Sequence, residues 1–319
     1  MKKLLLVLVL MAVAFSGCME KSQNGPDKSV GDLKTLSIKS AENLSSYSLK
    51  SSVAQTLLLN APGGNATAEN ATTVKESVET EASVDLFGFK AKASGSTKNT
   101  VKLPGQAENS SSINANVYQI GNSTYVKDET GNWTHLKDPR SAEAIWGEGN
   151  NNQVKAMVLM INQSQVEAIG SELIDGEDAY KLDIVTGSAD YDNLYNIAFS
   201  IAAKFAQYPM LMPSINRTEL NETGLMKKTV WISKKTYLPV KYQSIMSFRM
   251  TPEIIGGLDP NTGQMKMFNQ SMVLGAIIVN METNDLYYGF NKSVDMAMPS
   301  EALQAEPIIP TQIQAVSQV

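Results

Sequence analysis

Tyr118-Gln119-Ile120-Gly121-Asn122-Ser123-Thr124-Tyr125-Val126-Lys127 runs into Asp128-Glu129-Thr130-Gly131-Asn132 and then Trp133-Thr134-His135-Leu136. Each apolar burst is short. Each gap holds the Gly, Asn and Asp residues that supply tight-turn conformations. Antiparallel strands need this punctuation, so the spacing predicts a meander over 113–136.

The same pattern extends toward the N-terminus. Lys90 to Leu103 predicts a strand, entered through a tight turn at Phe87-Gly88-Phe89. Val74 to Leu86 sets Val74, Glu76, Val78 and Thr80 against Lys75, Ser77, Glu79 and Glu81, which reads as a half-exposed strand. Pro62-Gly63-Gly64 and the surrounding Asn residues make Ala61 to Asn70 a loop. Tyr47 to Leu59 predicts a strand, and 31–46 a helix with an imperfect stripe of Leu33, Leu36, Ala41 and Leu44.

Toward the C-terminus the period changes. Pro139 to Trp146 opens a helical zone that Gly147 to Asn150 breaks, and Val154, Met157, Val158 and Ile161 then repeat at helical spacing. Val166 to Val185 predicts two strands around Asp175-Gly176-Glu177-Asp178. Tyr191 to Tyr208 carries Leu194, Tyr195, Ala198, Ile201, Ala202 and Phe205 on one helical face, and Pro209 and Pro213 stop it. Lys227 to Ile232 and Tyr237 to Met250 predict a hairpin, with Val240, Tyr242, Met246, Phe248 and Met250 on one face. Met272 to Met281 is apolar on both faces and predicts a central or covered strand. Asp285 to Phe290 reads as a further strand, and Met298 to Ala302 starts a short tail helix. No repeat of fixed period is visible.

The first residues carry a different signal. Lys2 and Lys3 precede an unbroken apolar run from Leu4 to Phe15, and Ser16-Gly17-Cys18 follows. Twelve apolar residues fall short of the ~20 that span hydrocarbon, but they suit a signal-peptide core. The ending Phe15-Ser16-Gly17-Cys18 resembles the lipobox of prokaryotic lipoproteins, although the usual residue at the Phe15 position is aliphatic. That resemblance implies cleavage after Gly17 and a thioether lipid on Cys18. Cys18 is the only cysteine, so the mature chain has no disulfide and no cysteine metal site. The expected organisation is a signal peptide over 1–17, a lipidated flexible tether over 18–30 and a single domain over 31–319. The anchor makes the membrane a partner and places the chain on its extracytoplasmic face. Stable attachment takes a two-chain lipid.

Eleven Asn-x-Ser/Thr triplets mark the chain. With 24 asparagines and 51 Ser plus Thr in 319 residues, chance would give roughly four. Asn65, Asn70, Asn109, Asn122, Asn216 and Asn221 are the glycosylation candidates, with Asn65 and Asn70 in the loop-like stretch the most accessible. Unused triplets in an Asn/Ser/Thr-rich secreted chain are the plainer alternative.

Two stretches carry a wider likeness. Tyr118 to Lys127 with Gly131-Asn132-Trp133, and Val230-Trp231-Ile232-Ser233-Lys234-Lys235-Thr236-Tyr237-Leu238-Pro239-Val240-Lys241, resemble the superfamily of lipoprotein carriers that includes LolA, LolB and the mycobacterial LppX and LprG lipoproteins. The resemblance implies an α+β fold: a curved antiparallel β-sheet, or half-barrel, with helices covering its concave face. It also implies an apolar cavity between the two that holds a lipid ligand. Met157, Ile161, Ile201, Phe205, Met210, Met212, Tyr242, Met246, Phe248 and Met250 are the cavity candidates. The sixteen methionines fit an adaptable apolar lining, and Met160, Met265 and Met267 belong in the same group, although each also suits an ordinary core.

Catalytic and nucleic-acid chemistry find little support. The net charge is −5 and the basic residues do not cluster. His135 is the only histidine, and its place in a strand suits packing better than catalysis. Gly-x-Ser-x-Gly and phosphate-loop motifs are absent from the sequence, and nothing in it calls for a metal or cofactor. Asp175, Glu177 and Asp178 read as a solvated turn rather than a calcium loop. The expected function is a non-enzymatic, membrane-anchored lipoprotein that binds a lipid or other apolar ligand. The alternative is a structural or interaction lipoprotein of the cell envelope with no small ligand. A two-lobed solute-binding protein fits the strand pattern less well. The sequence points to no particular protein partner.

Overall fold

The computed structural model describes residues 28–59, 71–128, 130–147, 151–205, 213–215, 218, 220, 222, 224–250, 255–258, 265–267 and 277–308. Cys18, Asn65, Asn70, Met210, Met212, Asn216 and Asn221 lie outside them.

Helix α1 (Val30–Glu42) starts at a capping box in which Ser29 and Asp32 satisfy each other's backbone N–H groups. It ends at Asn43 rather than running to 46, because Ser46 already belongs to a strand. The strands that follow are β1 (Ser46–Leu59), β2 (Thr72–Asp85), β3 (Lys90–Lys102), β4 (Asn109–Ile120), β5 (Ser123–Lys127) and β6 (Trp133–Lys137). The opening meander is therefore present, with its first strand starting four residues earlier than expected. Helices α2 (Ala142–Gly147) and α3 (Gln153–Gln163) precede the hairpin of β7 (Val166–Ile174) and β8 (Glu177–Ile184). Helix α4 (Ser188–Phe205) and the short strand β9 (Pro213–Ile215) come next. Then come β10 (Leu225–Ser233), β11 (Pro239–Met250), β12 (Ile255–Leu258), β13 (Met265–Met267) and β14 (Ile277–Tyr288). Helix α5 (Ser300–Leu303) and β15 (Pro307–Ile308) complete the described elements.

Twelve strands form one open, curled sheet in the order β15-β6-β5-β4-β3-β2-β1-β14-β11-β10-β8-β7, and β13-β12-β9 form a small second sheet. Every pairing in the large sheet is antiparallel except β15 on β6. This is the α+β half-barrel that was expected.

Two expectations change. The two predicted strands at 272–281 and 285–290 are a single strand over their described part. Glu282-Thr283-Asn284 looks like a polar gap in the sequence, but it continues the ladder opposite Ala54-Val53-Ser52 and Ile245-Ser244-Gln243. Val240 also leaves the face assigned to it. The register shifts between Trp231 and Ile232, and the bulge turns Val240 toward Trp231, Ile174 and Ala179 on the far face.

Cross-strand register fixes which residues share the helix-bearing face. One row runs Tyr242–Asp285–Ser51–Thr80–Gly95–Ala115, and the next runs Ser244–Thr283–Val53–Val78–Thr97–Ile113. Gly95 keeps its row close-packed, since a Cβ there would meet the Glu79 carbonyl oxygen at 3.0 Å.

Two apolar clusters lie on this face. In the larger one, Leu33 and Ala41 of α1 and Val154, Met157, Val158 and Ile161 of α3 pack on Tyr47, Leu49, Tyr180, Leu182, Val230 and Ile232. Each of those α3 side chains contributes about 1.5–3 kcal/mol by burial. In the second, Leu194 and Ala198 of α4 pack on Met246, Phe248, Met250, Ile277 and Val279.

Candidate functional site

Between the two clusters the helix-bearing face turns polar. Lys228 stands opposite Ser244, one row from Tyr242, and pairs with Asp190 in the first turn of α4. Asp190 also accepts the Gly187 N–H at 3.0 Å, so one carboxylate caps α4 and neutralises the lysine. Asp285, Ser51, Thr80 and Thr283 extend this polar band across β14, β1 and β2.

A cleft of about 470 Å3 opens where the band passes α3. Ala156, Met157, Met160 and Gln153 form its helical wall. Leu49, Ser51, Thr80, Tyr242, Thr283, Asp285 and Tyr287 form its floor and far side. The volume lies within the ~300–1,000 Å3 usual for small-molecule sites. The wall next to it is firmly held. Tyr47, 1 % exposed, donates to the Asn151 carbonyl at 3.2 Å and accepts the Gln153 N–H at 3.1 Å. Lys34 of α1 closes the other end of α3, donating to the Asn162 and Ser164 carbonyls at 3.2 and 2.7 Å.

The titrating groups here are displaced from their ordinary values. Burial pushes the Asp285 carboxyl above the usual carboxylate value, against hydrogen bonds from Ser51 and Tyr287 that favour the charged form. Burial also raises Tyr287, and the Asp285 charge adds to the effect. Tyr242 is raised by burial, while a Ser244 hydrogen bond opposes the shift. Tyr47, deeper still, is pushed up to about 12 by burial. The Asp285 carboxyl can accept hydrogen bonds from a polar group in the cleft, and the phenols and hydroxyls beside it can both donate and accept.

Beyond α3 the same face alternates apolar and polar rows: Val53–Val78–Thr97–Ile113, then Gln55–Glu76–Asn99–Ser111, then Leu57–Val74–Val101. Val53, Val78, Leu57 and Val74 are half-buried, and Val101 and Ile113 are each 39 % exposed. The cleft therefore borders a short apolar patch of Val53, Val78 and Ile113, which a polar row separates from Leu57, Val74 and Val101.

Of the cavity candidates read from sequence, Met157 and Tyr242 line this cleft, as does Met160. Ile161 is fully buried in the larger cluster. Met246, Phe248 and Met250 lie packed under α4 in the second. Ile201 and Phe205 lie in α4. Sequence reasoning missed Asp285, Ser51, Thr80 and Thr283. Asp285 had a signal: it stands at an inward position of the series Ile277, Val279, Met281, Thr283, Asp285, Tyr287, where a lone carboxylate is out of place.

His135 stacks on Tyr125 with centroids 4.3 Å apart and faces the Ala305 carbonyl at 3.3 Å. Glu177 in the acidic turn accepts the Ser233 hydroxyl, and Asp178 pairs with Lys234 at 3.2 Å. Among the described residues no group of three or more His, Cys, Asp or Glu could hold a metal ion. No helix among them is long and apolar enough to cross a membrane. Asn109 is exposed, whereas the Asn122 amide donates to the Asp138 and Arg140 carbonyls at 2.9 and 3.2 Å.

The fold and cleft define an open half-barrel with a helix-walled pocket. Among solved structures the chain is similar to the lipoprotein LppX of Mycobacterium tuberculosis, at 11% identity over 85% of this chain and 100% of that one, with a TM-score of 0.37. It is also similar to LprF from Mycobacterium bovis, at 14% identity over 86% and 99%, with a TM-score of 0.37. No protein-family model and no curated protein matches the sequence.

Proposed function

We propose that the chain is an extracytoplasmic lipoprotein, anchored through Cys18, that binds a lipid or other apolar ligand in the cleft beside α3. The cleft carries this reading. It sets Met157, Met160, Ala156 and Leu49 over a polar floor and borders half-buried Val53 and Val78, which offers an apolar and a polar side to a molecule with one apolar and one polar end. Binding rather than catalysis is the proposed activity. The Leu4–Phe15 run and Cys18 supply the anchor and hence the envelope location.

Mass spectrometry of solvent extracts from the purified full chain tests the ligand. A co-purifying lipid that is lost from a Met157→Trp variant, whose indole would fill the cleft, is the expected result. A chain that carries no lipid and takes up none would sink it. Cys18→Ser should move the protein from the membrane fraction to the soluble one.

One observation favours the interaction reading. Edge strand β7 leaves Ile169 47 % and Leu173 69 % exposed. A bulge between Ala168 and Gly170 interrupts that edge, which weakens it as a template for strand addition.

A further inference from the structure

We infer that the cleft selects amphiphiles with an uncharged, hydroxyl-bearing head and discriminates against anionic heads of the same chain length. This rests on the ligand-binding reading above and adds the chemistry of the head.

Asp285 is the one charged side chain that lines the cleft among the described residues. Ser51, Thr80, Thr283, Tyr242 and Tyr287 surround it with hydroxyl groups. An anionic head needs a cation or converging N–H donors to replace its water. No lysine or arginine lines the cleft among the described residues, and Lys228, opposite Ser244 on the neighbouring row, is 14 % exposed and already paired with Asp190, whose other oxygen is held by the Gly187 N–H. A carboxylate or phosphate placed in the cleft would therefore face Asp285 with no cation among the described lining residues to neutralise it. A glycerol or sugar hydroxyl would instead donate to Asp285 and exchange hydrogen bonds with the hydroxyl side chains. Tyr287 donates to Oδ2 of Asp285 at 3.4 Å, a long bond that leaves acceptor capacity on the carboxylate. The placement of Asp285 also favours a binding role over a structural one. It occupies an inward position at which a Thr or Val would pack without desolvating a carboxylate.

The test uses the full chain carrying Cys18→Ser, so that no attached lipid competes, titrated calorimetrically at neutral pH. Monolauroylglycerol and laurate share one acyl chain and differ in the charge of the head. Monolauroylglycerol is expected to bind at least about tenfold more tightly than laurate. Asp285→Asn keeps the shape, removes the charge and is expected to bring the two within about threefold, mainly by strengthening laurate. If that variant fails to fold, Asp285→Ser replaces it. Equal affinities in the parent chain, tighter laurate, or a ratio unchanged in the Asp285 variant would each overturn the selectivity. If neither amphiphile binds, the ligand-binding reading falls with it.

Discussion

Asp285 and Tyr47 show how single side chains set the character of this cleft. Tyr47 joins the start of β1 to the first turn of α3 through one donated and one accepted hydrogen bond, and it is almost fully buried. Tyr47→Phe leaves the Gln153 N–H and the Asn151 carbonyl without that partner. It should cost about 1–3 kcal/mol in urea unfolding. Asp285 behaves in the opposite sense. Its folded value lies above the ordinary 3.8, so the fold holds its proton more tightly than the unfolded chain does. The stability this gives is complete below 3.8 and is lost as pH rises through the raised folded value. Asp285→Asn is therefore expected to raise the unfolding midpoint near neutral pH, with the gain shrinking toward acid, as a pH series of thermal melts would show. Asp138 works the other way: Arg140 draws it down to about 2, so its contribution is present above the ordinary value and fades as pH falls. The triplets can be ranked on the same scale. In a glycosylating host Asn109 should carry glycan and Asn122 should not, because the Asn122 amide is already engaged by two carbonyls. Glycopeptide mass spectrometry would distinguish the two.

Helix α3 and strand β14 are the elements that make the site. Val154, Met157, Val158 and Ile161 recur at helical spacing, and the structure buries all four, so that face was visible in the sequence. What clamps the helix was not. Lys34 lies 128 and 130 residues from the carbonyls it caps, a distance no local pattern can bridge. Lys34→Ala should speed amide exchange over 158–164 while leaving β10 and β11 protected, because it frees the last turn alone. Strand β14 was divided in the sequence by Glu282-Thr283-Asn284. Partner strands on both sides make it continuous, since ladder bonds offset a weak local β preference. Thr283→Pro would remove a ladder donor in mid-strand and should cost about 3 kcal/mol or more, read as loss of the cooperative unfolding transition.

At the scale of the molecule, β1 is hydrogen-bonded to β14 more than two hundred residues away, and the sheet stays open at β7 and β15. Such non-local pairing should give folding relaxation in the millisecond-to-second range or slower, measurable by stopped-flow fluorescence of the buried Trp146 and Trp231. The sequence alone determined the succession of α1 to α4 with β1 to β8, β10 and β11, the period of most of their faces and the expected anchor at Cys18. Those features depend on neighbours a few residues apart, through turn chemistry, alternation and helical spacing. It also implied, through resemblance, a half-barrel covered by helices. Tertiary structure alone decided that Met246, Phe248 and Met250 fill a core while Met157 and Tyr242 border a cleft, because one apolar face can be closed by a helix at one end and left open at the other. It alone placed Asp285 beside Ser51, Thr80 and two tyrosines, since cross-strand register brings together residues that no sequence spacing relates.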